Sequence, residues 1–354
     1  MDLQSVNHIE NAAPKAQRHT VQFSGDAASY FSLWAVNILF TILTLGIYSA
    51  WATVRNKQYF YGHTSIDGHR FDYLATPIQI LKGRILAAMC FTFYIVSSSY
   101  FPLIAALFLF IWMFAVPWVI NQGLRFNLRM TRYRNVQFSF AGNYKDAFIN
   151  FIVLPFLSIF TLYLAMPWVL KRIDTYIHNN IFYGDKKLTV QLTTSEYFRI
   201  AFACLFTVVG VAIVIGVFTV VLGSIDDLAQ QPQLLGGIIV LFNFLMITVV
   251  AGMYQAMIRN HIFNNAQFEQ VARFESNLAT VDYVVLVFTN ALAIVCSLGL
   301  ALPWAKVRKA KMLAAATSVC VYPSAEHVIN VQLESQSSFA EEAANVFDID
   351  ISLT

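Results

Sequence analysis

Seven stretches of this chain, at roughly 27–54, 85–104, 105–124, 147–170, 200–223, 234–258 and 283–305, contain no Asp, Glu, Lys or Arg. Each is close to the ~20 residues that a helix needs to cross ~30 Å of hydrocarbon. The second and third are contiguous and divide at Ser97–Ser99 and Pro102, residues suited to a tight turn. Charged residues make up 12% of the 354, about half the ~25% of a soluble domain. The pattern predicts an α-helical integral membrane protein with seven hydrophobic segments. The first 26 residues are polar and lack the short apolar core of a cleavable signal.

The ends of the apolar runs resemble one another. "TLGIYSAWATVR" (44–55), "FAVPWVINQ" (114–122), "TLYLAMPWVLKR" (161–172) and "SLGLALPWAKVR" (297–308) align on Trp51, Trp118, Trp168 and Trp304, with a worn copy at 249–259. Arg55, Arg172 and Arg308 follow four residues after three of these tryptophans, and Thr64, Thr131 and Thr317 follow thirteen after Trp51, Trp118 and Trp304. Indoles prefer the headgroup level and a cation one turn further reaches lipid phosphate, so these residues are candidate anchors to anionic lipid. Pro117, Pro167 and Pro303 precede the indoles and predict kinks.

Past each tryptophan a short basic helix is expected, and then a juxtamembrane β-strand or hairpin. "VQF" at 21–23 and 136–138, and "VQL" at 190–192 and 331–333, mark those strands. In the second copy Val136, Phe138 and Phe140 should face one side, and Gln137 and Ser139 the other. The resulting organisation is a polar arm with a short strand (1–26), a first repeat pair (27–146), a second (147–280), a last repeat helix (281–312) and a tail with a strand (313–354).

Charge leaves topology open. The connectors at 55–84, 125–146 and 171–199 carry five Lys or Arg each, whereas 224–233 carries none. The 99–101 turn carries none either, and the positive-inside rule then puts 99–101 and 224–233 outside and every other connector, with the C-terminus, in the cytoplasm. Seven plain crossings cannot satisfy that. Either the segments at 27–54, 147–170 and 283–305 are re-entrant, or the two halves are inverted copies.

The segment interiors hold no ionisable group, only amides and hydroxyls. Asn37 and Asn290 lie 14 residues before their tryptophans and Asn150 lies 18 before its own; Thr44, Thr161 and Ser297 each lie seven before. Read functionally, they form a polar cluster for a small solute near mid-membrane. Read structurally, they are interhelical hydrogen bonds. No catalytic, metal or nucleotide motif is present, and the four cysteines lack metal or redox spacing. No enzyme, cofactor or nucleic-acid partner is expected.

At "TLGIYSAWATVRNKQYFYGHTSIDGHRFDY" (44–73) the chain resembles the YjgN-like family of bacterial inner-membrane proteins, a domain of unknown function. The likeness rests on Thr44, Leu45, Gly46, Ile47, Tyr48, Trp51, Arg55, Thr64, Asp67, Gly68 and Phe71, and extends to "FSFAG" and "VPWV". It implies a multi-pass inner-membrane protein and brings no activity, substrate or site residues. Two functions are compatible: binding or transporting a small solute or lipid, or a scaffold recruiting a cytoplasmic partner through its strands.

Overall fold

The connectors between the apolar segments meet in a single sheet. The computed structural model describes residues 17–223, 232–269 and 271–322. Among them are strands β1 (Gln17–Thr20), β2 (Gln22–Phe23), β3 (Thr64–Ile66), β4 (His69–Tyr73), β5 (Thr131–Tyr133), β6 (Val136–Phe140), β7 (Ile181–Tyr183), β8 (Lys186–Val190), β9 (Ala266–Phe268), β10 (Ala272–Ser276) and β11 (Thr317–Val321). Their order is β1-β11-β10-β9-β8-β7-β6-β5-β4-β3-β2, with antiparallel neighbours. The N-terminal segment pairs with β11 through β1 and with β3 through β2. Both ends of the strand order therefore rest on one short segment, and the sheet is nearly closed.

Local chemistry dictates the turns. Two-residue loops join β3 to β4 and β5 to β6, with positive φ at Asp67 (51°) and Gly68 (73°) and at Arg134 (45°) and Asn135 (64°). Both loop residues in the left-handed region make a type I′ turn, whose twist matches that of paired strands. Along β6, Val136 and Phe140 are buried, Phe138 is partly buried, and Gln137 and Ser139 are exposed. The expected alternation is present there. The "VQL" at 331–333 and the loop at 224–231 lie outside the described residues.

The helices come in pairs. They are α1 (Ala27–Leu43) with α2 (Ser49–Gly62), α3 (Pro77–Tyr100) with α4 (Pro102–Arg129), an arm of α5 (Tyr144–Phe148), a π-helical turn (Ile149–Val153) and α6 (Leu154–Ile159) with α7 (Met166–His178), α8 (Thr194–Gly223) with α9 (Pro232–Asn264), and α10 (Thr280–Cys296) with α11 (Leu302–Ala315). Three residues separate each pair from the strand before it, and one or two separate it from the strand after it. The joints are alike: the first connector residue, Ser24, Leu74, Ala141, Gln191 or Asn277, donates its N–H to the carbonyl of His63, Met130, Asn180, Asn265 or Ala316. Between pairs, α2 packs on α3, α4 on α5, α7 on α8, α9 on α10, and α11 on α1. The helices thus complete a circuit above the sheet.

Four helices, α3, α4, α8 and α9, are long and apolar enough to cross a membrane. The other three apolar segments break before their tryptophans. Trp51, Trp168 and Trp304 belong to the first turn of a second, less apolar helix that runs back towards the sheet. Pro167 and Pro303 consequently begin helices rather than kink them, at positions where the missing N–H costs nothing. Pro117 does lie inside a helix, α4.

A candidate site between the sheet and the helices

The hydroxyls expected in a polar cluster build the tips of the three short hairpins. Helix α1 ends with Leu45 at φ 50° and Gly46 at 94°, α6 with Leu162 at 50° and Tyr163 at 62°, and α10 with Leu298 at 52° and Gly299 at 93°. In each tip the second of these residues donates its N–H to a carbonyl five residues back: Gly46 to Thr41 (2.7 Å), Tyr163 to Ser158 (2.9 Å) and Gly299 to Ile294 (2.8 Å). This is the bond of a Schellman-type helix end. The hydroxyl then accepts from the N–H of the residue just before the helix that follows. Thr44 Oγ1 accepts from Tyr48 N at 2.9 Å, Thr161 Oγ1 from Ala165 N at 3.1 Å and Ser297 Oγ from Ala301 N at 2.8 Å. Unpaired N–H groups at a helix start need such acceptors, most of all where water is absent.

The three asparagines are held separately, and no hydrogen bond among the described residues joins any two of them. Asn37 donates to Asn56 Oδ1 at 3.4 Å across the α1–α2 hairpin. Asn290 donates to the Ala305 carbonyl at 3.2 Å and accepts from Arg308 at 3.3 Å across α10–α11. Asn150 donates within its own arm to the Asp146 carbonyl at 2.8 Å. The carboxamide oxygens of Asn37 and Asn150 are buried without a protein donor.

The indoles are at least partly exposed, Trp118 the most at 54%. The Arg308 guanidinium lies 5.1 Å from the Trp304 ring and also donates to Thr289 at 2.6 Å. Arg55 lies 5.8 Å from the Tyr48 ring, and Arg172 is exposed. Thr64, Thr131 and Thr317, singled out by spacing alone, close the return helices by donating to the carbonyls of Phe60, Asn127 and Leu313.

Sequence reasoning missed the interior of the sheet. Its inward side chains form the largest apolar core, with Ile66, Val136, Tyr183, Leu188, Phe268 and Val319 buried and Val21, Phe71, Tyr133 and Phe138 packed against them. Successive rings touch around the strands: Phe71–Tyr133 at 4.7 Å, Tyr133–Tyr183 at 6.4 Å, Tyr183–Phe268 at 6.0 Å, Phe268–Phe274 at 5.9 Å and Phe274–Phe263 at 6.1 Å. Burial pushes the Tyr133 phenol up to about 12 and the Tyr183 phenol higher still. Both hydroxyls donate to backbone, Tyr133 to Ile66 and Tyr183 to Tyr133. Period-two alternation points to such residues, but no local signal says that four connectors and the two flanking strand segments turn them towards one another.

Two adjoining cavities lie against the inner face of the sheet. A small one of about 90 Å³ is walled by Tyr133, Phe138, Tyr183, Phe268 and Val321, with Asp67 and Arg134 also in its lining. A larger, more open one of about 280 Å³ lies between the sheet and α9 and α11, against Phe23, Arg259, Phe263, Ala310, Leu313 and Thr317. Ile66, Phe71, Phe274 and Val319 line both. Arg259, at the C-terminal end of α9, is the cation of the larger cavity. No group of three His, Cys, Asp or Glu among the described residues is placed to hold a metal ion.

The family model described as "Bacterial protein of unknown function (DUF898)" matches residues 18–346. The inner membrane protein YjgN of Salmonella typhimurium (strain LT2) is 26% identical over 351 residues, covering 85% of this chain and 88% of the relative. YjgN of Escherichia coli K12 is 22% identical over 341 residues, covering 82% and 85%. YjgN of Escherichia coli O157:H7 is 31% identical over 140 residues, covering 39% and 35%. No solved structure matches.

Proposed function

The chain belongs to the DUF898 family of bacterial proteins, and on that premise we propose that it binds a lipid or small apolar solute in the chamber between its sheet and its helices. Inner-membrane relatives and four spanning-length apolar helices put it in a bacterial inner membrane. The observation that carries the reading is the chamber itself. Its walls come from β2, β3, β4, β10 and β11 and from α9 and α11, and ligand sites are typically concave and mostly apolar.

We read the five helix pairs as copies of one unit, alternately short and long, each standing on its own strands. The joints recur at the same spacing and with the same backbone hydrogen bond. On this reading the sheet is on the cytoplasmic side, where the positive-inside rule favours its basic connectors. The three short pairs are then re-entrant. Helix α1 is ~25 Å long at 1.5 Å per residue, and its tip is bare: Leu45 and Leu298 are each 96% exposed and Leu162 is 85% exposed. Leucines held that far out of their own fold suit hydrocarbon better than water.

A scaffold recruiting partners by strand addition needs a free sheet edge. Here both ends of the strand order rest on residues 17–23, which favours binding within the cap over pairing outside it. The test is to replace Ala310, which lines the chamber, with Phe. Small molecules that co-purify with the wild-type protein are expected to be lost from Ala310→Phe while the variant still folds. An identical set of bound molecules in the two proteins would refute chamber binding.

A further inference from the structure

We infer that the chamber takes an anionic amphiphile, with its oxyanion on Arg259 and its apolar tail along the rings of the sheet. This rests on the chamber reading above and adds the class of ligand. The evidence begins with an incomplete set of partners. Arg259 Nη2 donates to Thr317 Oγ1 at 2.7 Å, and the guanidinium lies 4.0 Å from the centre of the Phe263 ring. Its Nε is buried with no acceptor. Among the described residues no carboxylate lies within ion-pair distance of it.

A guanidinium offers five donors in a planar fork that matches a carboxylate or phosphate. Placing such a group beside a cavity without a carboxylate costs desolvation that one threonine does not offset. An incoming oxyanion supplies the missing acceptor and the missing charge together. The rest of the wall is of the opposite character. Apart from Thr64, Thr317 and Arg259, all its residues are apolar, and Phe274 and Val319 continue past the first cavity into the second. One cation in an otherwise apolar, ring-lined cavity recognises a molecule with one charged end and one hydrocarbon end. A purely polar anion would leave the apolar walls unmatched, and a neutral apolar solute would leave the arginine so.

The full chain, in detergent, is exposed to photoreactive dodecanoate and to the matching photoreactive dodecanol, and the crosslinked residues are mapped by mass spectrometry. The acid is expected to label the segments around Phe274 and Leu313–Val319 about tenfold more than the alcohol, the size of one charge-assisted hydrogen bond. Arg259→Gln should reduce the acid to the alcohol's level, while Arg259→Lys, which keeps the charge, should retain most of the preference. Equal labelling by acid and alcohol in the wild type would overturn this inference and leave chamber binding standing. No labelling of those segments by either probe would refute chamber binding as well. If millimolar inorganic phosphate abolished the acid's labelling, the ligand would be a free oxyanion, and the amphiphile would be excluded. Should Arg259→Gln fail to fold, the wild-type acid-to-alcohol ratio and Arg259→Lys still decide.

Discussion

The short helix pairs and the long ones leave the same sheet through the same joints and then solve different problems. In the α3–α4 pair the chain reverses at Phe101, and Tyr100 and Phe101 are 75% and 60% exposed. Its serines point back into their own helix, Ser98 and Ser99 donating to the Ile95 carbonyl. The short pairs reverse in five or six residues, with two consecutive left-handed residues and a hydroxyl that accepts from the residue just before the next helix. A turn that lies in water can leave its last carbonyls and first N–H groups to solvent. A turn in hydrocarbon must satisfy them from within. On the re-entrant reading proposed above, the short tips are turns of the second kind.

Labelling should separate the two kinds of turn most sharply. Cysteine at Leu298 or Leu45 is expected to resist a membrane-impermeant maleimide from both faces, whereas cysteine at Tyr100 should react from the outside of intact cells. Rapid labelling of Leu298→Cys from the outer face would make the short pair a crossing, and the contrast would vanish.

Next in size is a test of the base that both kinds of pair share. Phe138→Asp places a carboxylate among Tyr183, Phe268 and their neighbours, at a cost of several kcal/mol unless it protonates. Gln137→Asp, one residue away on the exposed face, should stay within ~0.5 kcal/mol. Thermal unfolding of the two variants in the same lipid measures the difference, and similar melting would mean that the strands carry no common core.

Smaller effects test the tips themselves. Ser297→Ala leaves the Ala301 N–H without its acceptor and should cost about 1 kcal/mol, read as a lower unfolding temperature. Ser98→Ala at the long turn should cost less, because that hydroxyl only doubles a carbonyl already in the helix. Equal losses would mean that both turns sit in the same medium. The smallest change is expected at Tyr163, which adopts φ 62° where the other two tips have glycine. Tyr163→Gly should stabilise that hairpin by up to ~1 kcal/mol by removing left-handed strain; a loss instead would show that the phenol ring has a contact worth more than the strain.

Much of this architecture is legible in the residues. Charge-free runs announce the apolar helices, the tryptophan alignment announces recurring ends, and alternation at 136–140 announces an amphipathic strand. "IDG" at 66–68 is a two-residue hairpin signal as well as a polar loop. Thr44, Thr161 and Ser297 are legible as an equivalent set from spacing alone. The backbone reversal at Leu45, Leu162 and Leu298, which spacing does not announce, puts all three hydroxyls in turns, each accepting from a backbone N–H four residues on. The asparagines follow the same logic, since Asn37 finds Asn56 and Asn290 finds Arg308 only once the second helix folds back.

Sequence alone determined that the chain is a membrane protein, roughly where its helices lie, and that its connectors are strand-forming and basic. These are local properties, set by side-chain transfer energies and backbone preferences over a few residues. Tertiary structure alone decided that three apolar segments turn back and that strands from residues 17 to 321 share one sheet. It also brought Arg259 to the edge of a cavity walled by residues up to 238 positions away in the chain, Val21 the farthest. The physical reason is that strand pairing satisfies backbone groups over any sequence separation. Which partners meet is therefore fixed by how the whole circuit of helices closes, and no stretch of the chain encodes that by itself.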